Sequence, residues 1–190
     1  MEDGDGRHVD LLPAPEIAFD DGDVVTQLLR RGRYAGTVTS GNAFARSTLE
    51  AILPVPEKEF RVSADGYLVT VAPLCGRVAS IEEPLGVYVL HGGNYWATTS
   101  AENDQAPRFR RSLRHDTHRY EALRTRAAER GLVVTSEPGL RDTDHLTCRI
   151  GSLVLDRCNH PEPSDSRLSL GLRGAWASRW ARLPVTRRLL

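Results

Sequence analysis

Three clusters in the first half of this 190-residue chain pair a reactive side chain with backbone freedom. Ser40-Gly41-Asn42 joins two polar side chains to a glycine that permits close approach, a pattern suited to a substrate hydroxyl or phosphate. The plainer reading is an ordinary loop with Asn42 bonded to nearby backbone. Asp65 follows Ser63 and Ala64 at the predicted start of a helix. There it is either a first-turn acid favoured by the helix dipole or a general base presented to a cleft. His91 ends a predicted strand and precedes Gly92 and Gly93. Such an edge can place an imidazole on a metal or phosphate, although one histidine has no metal-site spacing. Asn94 and Trp96 follow, and Trp96 suits either stacking on a sugar or base, or packing.

Other combinations are weaker. His115 and His118 stand three residues apart on a predicted arginine-rich helix, which reads as a surface pair because no third ligand accompanies them. Cys148, Cys158 and His160 lack paired zinc-site spacing. From Ser166 onward the chain has six arginines and no carboxylate, with Trp176 and Trp180 among them. This Arg/Trp tail suits peripheral contact with an anionic membrane; it equally suits an amphipathic helix that packs its tryptophans inward.

The elements that must position these residues follow from periodicity and punctuation. Residues 1 to 19 read as a proline-broken lead-in. Asp20 to Arg31 reads as a helix capped by Asp20 or Asp21 and stopped by Gly32, and a short helix runs through Leu49, Ile52 and Leu53. Ser63 is the expected N-cap of the Asp65 helix, which Gly76 ends. Val78 to Ile81 and Val87 to Leu90 read as strands. A long helix from about Pro107 to Arg130 buries Phe109, Leu113, Tyr120, Leu123 and Ala127, and Gly131 terminates it. Two further helices are expected, one through Leu146, Ile150, Leu153 and Val154, the other with a stripe of Leu168, Leu172, Trp176 and Trp180.

Composition sets the outer bounds. Basic and acidic residues number 25 each, which disfavours a dedicated nucleic-acid binder. Lys58 is the one lysine, so arginine abundance reflects a general bias rather than phosphate recognition. Three scattered cysteines imply no disulfide framework and a reducing compartment. With no long apolar run and no signal-like start, the expectation is a cytoplasmic protein that touches a membrane at most peripherally.

In combination the motifs are more specific. Thr39-Ser-Gly-Asn-Ala-Phe44, Ile52-Leu-Pro-Val-Pro-Glu57, Ala64-Asp-Gly-Tyr-Leu68, Ala72-Pro-Leu-Cys-Gly76, Glu83-Pro-Leu-Gly86 and His91-Gly-Gly-Asn94 occur in one order. This run resembles the acceptor-side half of family 2 glycosyltransferases, which have the GT-A fold. The resemblance covers roughly residues 5 to 96 and, more loosely, the helical region to about 175. It implies an α/β architecture, a partial GT-A-like, Rossmann-related domain over 1–100 with a mostly helical extension over 101–190.

The resemblance implies that Ser40, Gly41 and Asn42 line the donor and acceptor cleft, with Asn94 and Trp96 also on substrate. Asp65 matches the catalytic base of inverting members, Ala64 replacing the family's preceding Glu, and His91 matches the histidine that holds the metal or donor diphosphate. The implied partners are a nucleotide-sugar donor and a glycan or lipid-linked acceptor, with a divalent metal, manganese or magnesium, if the donor half is supplied. The family's nucleotide-binding portion and its Asp-x-Asp motif should precede this region. Asp3 and Asp5 have that spacing but no preceding apolar strand, so they do not match it. The expectation is therefore a truncated enzyme or, alternatively, a non-catalytic remnant or interaction module that keeps the acceptor-side surface.

Overall fold

The computed structural model describes residues 5–7, 18–37, 39–81, 83–87, 89, 105–135 and 137–178. Among them are α1 (Val25–Arg31), α2 (Arg46–Ile52), α3 (Glu57–Phe60), α4 (Ala64–Val71), α5 (Ala106–Ala128), α6 (Thr143–Leu155) and α7 (Arg167–Ser178). Short 3-10 turns at Thr39–Gly41, Ala72–Cys75, Pro138–Arg141 and Arg157–Asn159 complete the regular structure described.

The long helix α5 is the spine. Leu113, Tyr120, Leu123 and Ala127 recur at helical spacing and are buried, as the periodicity predicts. On one side lies a core of Ile52, Phe60, Tyr67 and Val71, against which Ala122 packs. The Tyr67 hydroxyl donates to the Ile52 carbonyl at 2.6 Å and accepts from Arg126 Nε at 3.0 Å, so a polar tip inside this core is satisfied from two elements. On the other side a second core gathers Leu140, Leu146, Leu153, Leu170 and Ala177. Gly151 lets α6 approach closely here, because a Cβ there would lie 2.5 Å from Phe109 Cε2.

Two helix ends follow the expected punctuation. Gly32 ends α1 with φ 80°, and Gly131 follows α5 with φ 68°, both in the left-handed region that favours glycine. Two starts do not. α1 begins at Val25 rather than Asp20, because Asp20 and Asp21 are used elsewhere: Asp20 accepts from Gln27 Nε2 and the Ala35 N–H, and Asp21 from the Ser80 N–H. Ser63 precedes α4 with φ 81°, outside the extended conformation usual at an N-cap, and no side-chain cap bond forms.

The expected α/β, partial GT-A-like architecture is not what the structure contains. The described residues are mainly helical and form no strand; β structure is limited to isolated bridges, as between Gly22 and Val78. A strand persists only where neighbouring chain pairs its backbone. Val78 finds one such partner, whereas Ile81 and Val87 remain 63% and 60% exposed, with no described strand alongside. Among the described residues, these short apolar runs make bridges at Val78 and Val89 and no continuous strand. Leu90 and the residues from 91 to 104 lie outside the described residues.

The stripe expected on α7 is also reversed. Leu170 and Ala177 face the core, while Leu168, Leu172 and Trp176 point outward; Trp180 lies outside the described residues. No described helix is long and apolar enough to cross a membrane.

Candidate functional site

Asp65 lies in the first turn of α4 and is half-buried. The next residue, Gly66, is pressed against α5, and a Cβ there would come within 2.5 Å of His115 Nε2. The close approach brings the Asp65 turn to a histidine fifty residues away in sequence. Burial and the Arg119 guanidinium lower the proton affinity of His115, and Asp116 and Asp65 only partly offset them. The imidazole is therefore held neutral at neutral pH near the Asp65 side chain.

His115 and His118 are not the solvated pair that the arginine-rich sequence predicts. Both rings make edge contacts with Phe60, at centroid distances of 6.3 and 6.2 Å, and His118 Nδ1 donates to the Glu59 carbonyl at 3.0 Å. They anchor α3 and α4 to α5. Among the described residues no group of three His, Cys, Asp or Glu side chains is arranged to hold a metal ion. A single carboxylate such as Asp65 does not make such a site.

Ser40 and Gly41 belong to the 3-10 turn Thr39–Gly41. Asn42 Nδ2 donates to the Thr37 carbonyl at 3.4 Å, and a Cβ on Gly41 would lie 2.7 Å from Thr37 Cγ2. Glycine is therefore needed for the turn's own packing, and the Asn42 amide makes a local backbone bond. His91, Asn94 and Trp96 lie outside the described residues. Two surface cavities, about 380 and 240 Å³, open elsewhere, and neither is lined by Asp65 or by residues 40–42.

Two polar clusters escaped the sequence reading. In the first, Arg33 sits among three carboxylates, with Nη2 2.9 Å from Asp116 Oδ1, Nη1 3.2 Å from Asp144 Oδ2 and Nε 2.5 Å from Asp142 Oδ2. The Asp142 contact is an ion pair without hydrogen-bond alignment. His145 Nδ1 donates to Asp116 Oδ2 at 2.9 Å, and Arg119 Nη1 stands 3.5 Å from Asp116 Oδ1. Burial opposes the Asp116 charge, but His145, Arg33 and Arg119 outweigh it and hold the carboxyl below its usual range. Burial likewise opposes the Arg33 charge, and Asp142 and Asp116 more than restore it. Asp142 also caps α6, accepting from the Asp144 N–H at 3.1 Å. That cap was legible as Asp142-Thr143-Asp144; its junction with Arg33, more than a hundred residues away, was not.

In the second cluster, His160 Nε2 lies 3.1 Å from Asp165 Oδ2 and His160 Nδ1 lies 3.1 Å from Ser152 Oγ. The order Ser–His–Asp imitates a nucleophilic triad, but the chemistry does not follow. Ser152 is fully buried within α6, and Arg149 grips Asp165 through Nε at 2.7 Å and Nη2 at 2.5 Å. The cluster fastens the 156–166 connection. Nearby, burial pushes the Cys148 thiol up to about 11, so it stays protonated and inert.

No family model and no solved structure matches the chain. Over 110 residues it is 27% identical to an uncharacterized glycosyltransferase of Nostoc sp. (strain PCC 7120), an alignment covering 52% of this chain and 34% of that protein. The chain is similar to a glycosyltransferase. It spans about a third of the length of this relative.

Proposed function

We propose that this chain contributes the acceptor-side portion of a family 2-like, inverting glycosyltransferase, with Asp65 as the general base. In this reading the acceptor hydroxyl gives its proton to Asp65 as its oxygen attacks the anomeric carbon of a nucleotide sugar. The bond from that carbon to the diphosphate breaks, and its electron pair leaves with the phosphate oxygen. The observation that carries the proposal is the placement of Asp65 in the first turn of α4, beside the Gly66 contact with His115, whose neutral imidazole puts no positive charge next to the carboxylate. The similarity to a glycosyltransferase supplies the reaction class. The donor, its nucleotide and any metal would be held by residues outside those described, and Ser40 and Asn42 remain proposed substrate contacts.

The test is release of nucleoside diphosphate from UDP-glucose, UDP-N-acetylglucosamine and GDP-mannose by the natural full-length protein. Asp65→Asn should lower turnover about 10²- to 10⁴-fold, the range expected for loss of a general base, with nucleotide affinity unchanged. Equal turnover in the variant would remove Asp65 from the chemistry. A second reading, a non-catalytic interaction module, is favoured by Gly41 and Asn42 serving the packing and backbone bonding of their own turn. It predicts no diphosphate release and no nucleotide binding by calorimetry.

A further inference from the structure

The α7 helix carries two apolar faces, and the protein uses only one. Leu170 and Ala177 are inserted in the core beside Leu146 and Leu153. Leu168, Leu172 and Trp176, one helical turn apart in succession, form a second stripe that remains 82%, 74% and 47% exposed. Two exposed leucines and a tryptophan in line are more than the scattered apolar residues of an ordinary surface.

Charge beside the stripe says what would cover it. Arg167 and Arg173 are exposed on the same helix, and the Arg141 guanidinium carbon lies 5.8 Å from the Trp176 ring centroid. The sequence continues through Arg179, Arg182, Arg187 and Arg188 without a carboxylate. Acidic groups near this helix are already engaged. Glu137, in the 380 Å³ cavity between the Pro138–Arg141 turn and α7, pairs with Arg173 at 3.6 Å. Asp165 is bound by Arg149, and Glu162 stands 4.0 Å from Arg149.

We propose that this outer face of α7 docks on an anionic lipid surface. Leu168, Leu172 and Trp176 would enter the boundary between headgroups and acyl chains, and Arg141, Arg167 and Arg173 would meet the lipid phosphates. Cationic charge alone would suit any polyanion, but leucines gain nothing on a phosphate backbone, whereas an interface accepts both. A second copy of this chain would bring a like-charged helix against the first. The inference does not depend on chemistry at Asp65.

Flotation of the full chain with vesicles of phosphatidylcholine, with and without phosphatidylglycerol, tests it. The protein should float with the anionic vesicles, not with the neutral ones, and retention should fall in about 0.5 M salt, where charges are screened within a few ångströms. Leu172→Glu should weaken partition about tenfold or more, the loss expected when one leucine is no longer buried. The paired variant Leu168→Gln, Leu172→Gln serves the same purpose if a new carboxylate disturbs the helix, with circular dichroism confirming the fold. Asp65→Asn should float as the parent does. Absence of retention, equal retention on neutral vesicles, or full retention by both leucine variants would overturn the proposal. A dimer that Leu172→Glu dissociates, without vesicle binding, would overturn it in favour of self-association. Binding to mixed-sequence DNA that both leucine variants retain, without vesicle binding, would overturn it in favour of a general polyanion site.

Discussion

The α5–α6 interface and the segment from Val78 to Val89 treat their awkward residues in opposite ways. The interface takes charges out of water and pairs each with another: Arg33, Asp116, Asp142 and His145 converge from three separate parts of the chain. The 78–89 segment leaves apolar residues in water, with Ile81, Leu85, Val87 and Val89 all exposed. Burial in this protein is thus set by the availability of partners rather than by residue type. A charge can be enclosed when neighbouring helices supply its complement, and an apolar side chain stays outside when nothing is packed over it.

The sharpest way to break this comparison is to remove one partner from the interface. Asp116→Ala should cost about 3–5 kcal/mol in urea unfolding, because it leaves Arg33, Arg119 and His145 around a vacated carboxylate site. If the loss were below about 1 kcal/mol, the network would be no stronger than a surface ion pair. Gly32→Ala should come next, at about 1–3 kcal/mol: its φ of 80° disfavours a side chain, and a Cβ would lie 2.2 Å from Tyr120 Cε1. Its control is Gly171→Ala on α7, where a Cβ meets nothing within 4 Å and a gain of roughly 0.5–1 kcal/mol is expected.

Acid should separate the buried groups in sequence. Burial and Arg119 lower the His115 pKa in the fold, so the unfolded chain binds a proton first. The stabilisation from His115 is complete above its unfolded value, about 6.5, and is lost as pH falls through the depressed folded value. His115→Gln should flatten that part of a stability-against-pH curve. Asp116 and Asp165 are also depressed in the fold, so their contributions disappear only at lower pH, beneath the unfolded carboxylate value of about 4. The smallest effect belongs to the exposed segment: Ile81→Ser or Val87→Ser should change stability by no more than about 0.5 kcal/mol, measured by thermal unfolding. A larger loss would mean that these side chains are covered in solution.

The helices were legible where local chemistry controls them. Gly32 and Gly131 marked their stops through backbone conformation, and the spacing of Leu113, Tyr120, Leu123 and Ala127 marked the buried face of α5. Ser63 and Asp20 misled because each had the residue type of a cap while tertiary contacts gave it another conformation or other partners. At the candidate site, the position of Asp65 in a first helical turn could be read directly, and its meeting with His115 could not. That contact depends on a buried glycine where two helices touch.

The sequence by itself determined which segments are helical, where Gly32 and Gly131 end two of them, and that Asp65 would stand at a helix entrance. These outcomes depend on residues within one or two turns of each other. Tertiary structure decided which face of α7 is buried, since its sequence offers two apolar faces of similar helical spacing and only docking on α6 selects one. It also decided that Val78–Ile81 forms a single bridge instead of a strand, and that Arg33 meets Asp116 and Asp142. Those outcomes require segments distant in the chain to arrive together, and periodicity within one segment carries no information about that arrival.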